Sequence, residues 1–223
     1  MTIDKDKLEI RKATLDDVDF ISEAIIEAEK SSTKNNGLAK TFMLSDDELK
    51  KYLVQILEEE EDGCELSLSS FLVAYYDGEP VATQAGWLEG CNEGRTSSFI
   101  KSNLLSFIIP YEHILHSKEI VEIGRDLQIP REMGAYQIEY GYTKPEYRGN
   151  GLKRILIMAH LEELIKHYPE VHKCQTHVFK NNEKSIKANE KAGFIVVKEF
   201  ESIHPKTLDF FPDDTIMLLE KTF

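Results

Sequence analysis

The chain has 223 residues, 41% of them hydrophobic, enough to build a core and too many for a disordered segment. Forty acidic residues against 27 basic ones leave a net charge of −13, which argues against nucleic acid as the main partner because phosphate binding needs a basic face. An acidic surface suits a cationic substrate, or simply keeps a protein dispersed. The longest apolar cluster, 104–111, is far short of the ~20 residues that span a bilayer, so no membrane partner is expected. The first residues, Met1-Thr2-Ile3-Asp4-Lys5, carry no secretory pattern. Cys64, Cys91 and Cys174 are widely spaced, without a C-x-x-C pair, and fit reduced thiols in a cytoplasm. A cytoplasmic chain forming one domain over 1–223 is the expectation.

Residues 8–13 alternate as a first strand, and Thr14 to Asp17 then caps a helix over 18–31. A polar loop covers 32–37. Ser45 and Glu48 form a capping box for a second helix, which runs through Leu49, Leu53 and Ile56 into a solvated acidic end at 58–62. Residues 70–76 and 80–88 read as strands joined by an Asp77-Gly78 hairpin turn, with Trp87 in the core or on a substrate wall. Segment 89–131 is loop-like at 89–96, carries helical pieces over 98–119 and resists assignment over 120–131. An ordered connection of that length is often functional. A strand at 136–143, a helix at 151–168, a strand at 173–179 and a short helix at 182–192 ended by Gly193 follow. Strands at 194–201 and 215–222 close the chain around a loop with Pro205 and Pro212. Strands interleaved with helices, some as hairpins, indicate a mixed-sheet α/β (α+β) domain. The histidines, including His113 with His116 and His160 with His167, lack ligand spacing; no metal is expected.

The richest stretch chemically runs from Tyr142 through Lys144-Pro145 to Arg148-Gly149-Asn150-Gly151-Leu152-Lys153. A strand stops at a proline turn, and a helix opens through two glycines. Such a turn presents unpaired backbone N–H groups and the positive end of a helix dipole, which together bind phosphate or pyrophosphate. Lys153 and Arg154 either add charge near that anion or lie on the helix surface.

These residues resemble the GCN5-related N-acetyltransferase (GNAT) superfamily. Arg148 and Gly151 match its pyrophosphate signature, which ends in a small residue where this chain has Lys153. A second segment, Asn182 through Asn189 to Gly193-Phe194, resembles the family's C-terminal helix and the entry to its next strand. The resemblance implies a mixed, largely antiparallel sheet flanked by helices, with 89–131 as an insertion between the third and fourth strands. It implies acetyl-CoA as cosubstrate and an N-acetyltransferase acting by direct transfer to an amine. A small-molecule or peptide amine would be the acceptor, and a homodimer is compatible with the family.

The resemblance also assigns candidate residues. Backbone of Arg148, Gly149, Asn150, Gly151, Leu152 and Lys153 would hold the pyrophosphate. Tyr142 and Thr143 would pair with the pantetheine arm where two strands splay at a bulge, and an N–H near Tyr142 would stabilise the oxyanion. Asn182 would bond the cofactor arm or merely cap its helix. Glu139 is the leading general base, against the alternative of a solvent-facing strand residue. Many relatives place an acidic Tyr where this chain has Asn189, which cannot donate a proton to the thiolate. Tyr140, Tyr142 or water would serve instead, or no acid is needed, since thiols ionise at roughly 8.5. The rival from another class is a non-catalytic acyl-CoA sensor on the same fold, and a larger acyl group remains open.

Overall fold

The computed structural model describes residues 3–31 and 33–223. Met1, Thr2 and Ser32 lie outside it, and with them the start of the N-terminal pentapeptide and of the expected 32–37 loop. Strands β1 (Leu8–Lys12), β2 (Phe71–Tyr76), β3 (Glu79–Leu88), β4 (Tyr136–Thr143), β5 (Lys173–Phe179), β6 (Ile195–Glu201) and β7 (Thr215–Thr222) form one sheet in the order β1-β2-β3-β4-β5-β7-β6. Every pairing is antiparallel except β4 with β5. The β2–β3 turn forms because Asp77 and Gly78 both take positive φ, 51° and 84°, matching the twist of the flanking strands.

Helix α1 (Val18–Glu29) follows a capping box between Thr14 and Asp17. The short α2 (Gly37–Thr41) precedes α3 (Asp46–Glu58), whose capping box has Glu48 N–H donating to Ser45 Oγ at 3.2 Å and Ser45 N–H donating back to Glu48 at 2.9 Å. α1 and α3 bury Ile21, Ile25, Leu49 and Leu53 against Phe71, Val73 and Ala85 on one sheet face. On the other face lie α6 (Leu152–His167) and α7 (Glu183–Lys191). There Leu156, Ile157 and Leu161 are at most 3% exposed, each contributing about 1.5–3 kcal/mol through burial.

The insertion holds α4 (Ser97–Ile108), capped by Thr96, and α5 (Tyr111–Ile123), separated by Ile109-Pro110. A residue before proline disfavours the α region, so one apolar stretch becomes two helices. A 3-10 turn at Arg125–Leu127 follows, within the part the sequence left unassigned. The expected loop before β7 contains a further short helix, α8 (Thr207–Phe210). It docks on α2, where Lys40 Nζ donates to Asp209 C=O at 2.6 Å, and the same loop reaches α5 through Lys206 and Glu119 at 3.4 Å. No described helix is long and apolar enough to cross a membrane.

Candidate active site

β4 and β5 pair only at Tyr136 with Cys174 and at Gln137 with Gln175; beyond these they part. On its other edge β4 is bulged. Thr83 faces Tyr142 and Ala85 faces Glu139, so Tyr140 and Gly141 together oppose Gln84. Tyr140 carries the strain at φ 49°, a conformation few non-glycine residues adopt. The bulge sends Glu139 and Tyr140 toward the α1 side and leaves Gly141 over α6. A Cβ on Gly141 would overlap Gln84 Oε1 and stand 3.2 Å from Lys153 Cε. Gln84 Nε2 donates to Glu139 C=O, and its Oε1 is buried with no partner among the described residues.

Just past β4, Gly149 and Gly151 have φ of 86° and 77°. A Cβ at either would meet nothing within 4 Å, so conformation and not crowding calls for glycine. The first hydrogen bond into α6 runs from Ile155 N–H to Gly151 C=O at 3.1 Å. The amides of Leu152, Lys153 and Arg154 therefore precede the helical ladder and face the turn. Arg148 Nε donates to Thr143 C=O at 3.1 Å, bracing the loop against the end of β4. Asn150 Nδ2 donates to Tyr147 C=O at 2.9 Å.

The splay and the glycine turn open into one cavity of about 1530 Å³. Its inner wall is charged. Glu139 Oε1 accepts from His177 N–H at 3.2 Å and from His177 Nδ1 at 3.0 Å, with Arg131 at 3.7 Å. A carboxylate only accepts, so His177 Nδ1 carries a proton and donates it to Glu139. The ring's Nε2 is buried and unpartnered among the described residues. Tyr140 Oη donates to Glu29 at 2.6 Å; burial and then Glu29 push its pKa well up, making it a poor acid. Glu65 accepts from Lys101 at 3.0 Å and Arg131 at 3.3 Å. Burial raises the Glu65 pKa, but Arg131 and Lys101 outweigh it and hold the carboxyl at about 2. The outer wall, from α2 and the insertion, is mixed: Leu38, Phe42, Leu105, Ile114, Val121 and Leu127 alternate with Thr41, Ser102, Ser106, Ser117 and Gln128.

The structure thus gathers Glu139, Tyr142, Thr143, Gly149 to Lys153 and Asn182 around one cavity. Tyr142 packs its ring against Phe20, centroids 6.1 Å apart, and burial raises its pKa. Leu152 sends its side chain into the core, leaving only its amide for a ligand. Asn182 caps α7 through Ser185 N–H at 3.2 Å and donates to Ser31 Oγ at 3.1 Å. Asn189 is 1% exposed, is absent from the cavity wall and donates back to Ser185 C=O at 3.1 Å. Sequence reasoning missed His177, Arg131, Lys101 and Glu65. His177 sits in a strand with an ordinary alternation, Lys101 on an expected helical piece, and Glu65 and Arg131 in segments without a period. Histidine at the strand position after the splay was the one available signal.

A family profile, the acetyltransferase (GNAT) family, matches residues 38–194. A comparison with curated proteins finds no match. Among solved structures, an N-acetyltransferase from Staphylococcus aureus Mu50 is 17% identical, with 96% of this chain and 100% of that one covered at a TM-score of 0.66. An aminoglycoside acetyltransferase in complex with coenzyme A and kanamycin is 17% identical, covering 96% and 94% at a TM-score of 0.53. A putative acetyltransferase from Salmonella typhimurium with its cofactor acetyl-CoA is 14% identical, covering 96% and 93% at 0.52. At such identities the likeness establishes the fold.

Proposed function

The chain belongs to the GNAT family of acetyltransferases, and on that premise we propose that it transfers an acetyl group from acetyl-CoA directly to an amine in a ternary complex. The observation that carries the reading is the β4–β5 splay opening beside a glycine turn whose amides precede the helical ladder. The residues fit the cosubstrate: Gly149 and Gly151 leave open space for a pyrophosphate, and unpaired β4 backbone from Ile138 onward faces the gap a pantetheine arm would fill. When bound, acetyl-CoA supplies an activated acyl carbonyl and a good leaving thiolate.

The chain's own residues do the rest. The backbone at Gly141 and Tyr142 lines the bulge, where an N–H polarises a carbonyl. Glu139 is the proton acceptor: the His177 N–H and Nδ1–H fix its Oε1, and the carboxylate takes the proton from the incoming ammonium, directly or through water. Burial pushes Cys64 to about 11 and Cys174 well up, so neither is a poised nucleophile, consistent with direct transfer. Glu29, which accepts from Tyr140 and lines the cavity without a salt-bridged cation among the described residues, favours a cationic acceptor.

Calorimetry with acetyl-CoA and turnover on a panel of amino sugars, polyamines and peptide amines test the proposal. Glu139→Gln is expected to keep acetyl-CoA affinity and to lose about a hundredfold or more in kcat. Retained binding with no turnover of any amine by the unaltered protein would favour a non-catalytic acyl-CoA sensor.

A further inference from the structure

Lys153 stands where the family signature ends in a small residue, and its side chain does not go to solvent. It leaves the first turn of α6 and passes beneath the β4 bulge, with Cε 3.2 Å from a Cβ built on Gly141. Nζ then donates to Ser185 Oγ on α7, its one polar contact among the described residues. The side chain therefore bridges α6 and α7 on the floor of the cavity, beside Gly141, Thr176 and Ser185, where β4 and β5 have already parted.

We propose that Lys153 Nζ is a self-acylation site, taking the acyl group of acyl-CoA seated in the cleft. The inference rests on the cleft binding acyl-CoA, as proposed above. The amine lone pair attacks the thioester carbonyl; a C–N bond forms, the C–S bond breaks, and sulfur leaves as the CoA thiolate. The amine's proton passes to the thiolate or to solvent, and no oxidant or reductant is involved. The product is an amide, which does not return its acyl group under ordinary conditions, so the step marks the protein and is not an intermediate of turnover.

Chemistry distinguishes this amine from the other cavity lysines. Lys101 is buried but held by Glu65, which with Glu29 outweighs burial and raises its pKa. Lys30 is paired with Glu27 and Asp46, and Lys187 with Glu183. Lys153 has no such partner, and burial lowers its pKa to about 8 against a weaker opposing pull from Glu139. At pH 7 about a tenth of the amine is then uncharged and nucleophilic. Acylation removes a cation from the floor of the cleft and lengthens a side chain that already crosses it. The mark would weaken further acyl-CoA binding, making the enzyme responsive to its own cosubstrate supply.

The test uses the full chain incubated with acetyl-CoA, read by intact mass and peptide mapping, with acetyl-CoA and CoA affinity measured separately by calorimetry. The expected result is a single acetyl adduct on Lys153. It should be suppressed by excess CoA, absent from heat-unfolded protein, and formed at least about tenfold faster than at Lys166 or Lys198, which are exposed and away from the cavity. The Lys153-acetylated protein should bind CoA about tenfold more weakly. Lys153→Arg, which keeps the charge, should take no adduct at this position, with its CoA affinity measured alongside. Acetyl-CoA binding with Lys153 labelled no faster than the surface lysines would overturn the inference and leave the transferase reading standing. Absence of acetyl-CoA binding would overturn both.

Discussion

His160 shows how a single side chain can report on the whole sheet. It projects from α6, with Nε2 donating to Gln84 C=O at 2.9 Å and Nδ1 accepting from Tyr136 Oη at 3.0 Å. The neutral ring is fully satisfied, and burial lowers its pKa to about 4 from an ordinary 6.5. A proton is thus bound by the unfolded chain before the folded one, so stability rises with pH between about 4 and 6.5 and is lost on acidification through that window. The expected loss is about 3 kcal/mol, read as a fall in the urea midpoint from pH 7 to pH 4. His160→Gln should flatten that slope. Gly86 lies against the same pair: a Cβ there would be 2.7 Å from His160 Nδ1 and 2.8 Å from Tyr136 Oη. Gly86→Ala should therefore cost about 1–3 kcal/mol by overpacking, measured as a lower Tm. The sequence showed only that His160 lacks ligand spacing; it could not reveal that Gln84 and Tyr136, 76 and 24 residues away, are its partners.

Helix ends and hairpins act over a few residues, which is why they are readable. The Ser45–Glu48 box is present at the surface as expected, and Ser45→Ala should lower stability by about 1 kcal/mol. α6 begins at Gly151 in the left-handed region, so Gly151→Val should strain the turn by about 1–2 kcal/mol. It should weaken acetyl-CoA binding more than it lowers Tm, since the amides that would hold the phosphates lie in that turn. The β2–β3 hairpin, β5 and β7 likewise follow from alternation and turn residues. α2 and α8 do not: with five and four residues they are too short to show a helical period. α5 exposes Tyr111, Leu115 and Val121, so its apolar residues do not trace one buried stripe.

At the scale of the molecule, Glu65 ties the insertion to the sheet. It lies in the connection before β2 and binds Lys101 of α4 and Arg131 beyond α5, while Arg131 stacks over Trp87 of β3 at 5.1 Å. Glu65→Gln would leave two partly buried cations short of their counter-charge and should cost about 2–4 kcal/mol, read from denaturant unfolding. With its folded pKa near 2, Glu65 contributes stability that is present above pH 4.5 and lost as pH falls toward 2, a lower window than that of His160.

The amino-acid order by itself determined the strands, the capped helices, the glycine turn and the two motifs that mark the family, because caps, alternation and positive-φ turns act over a handful of neighbouring residues. Tertiary structure alone decided the two-for-one bulge at Tyr140 and Gly141, the Glu139–His177 contact across 38 residues and the Tyr140–Glu29 bond across 111. It also decided that Asn189 turns into the core and that Lys153 crosses the cleft. Those contacts depend on strand register and on the closure of long loops, which no local pattern encodes.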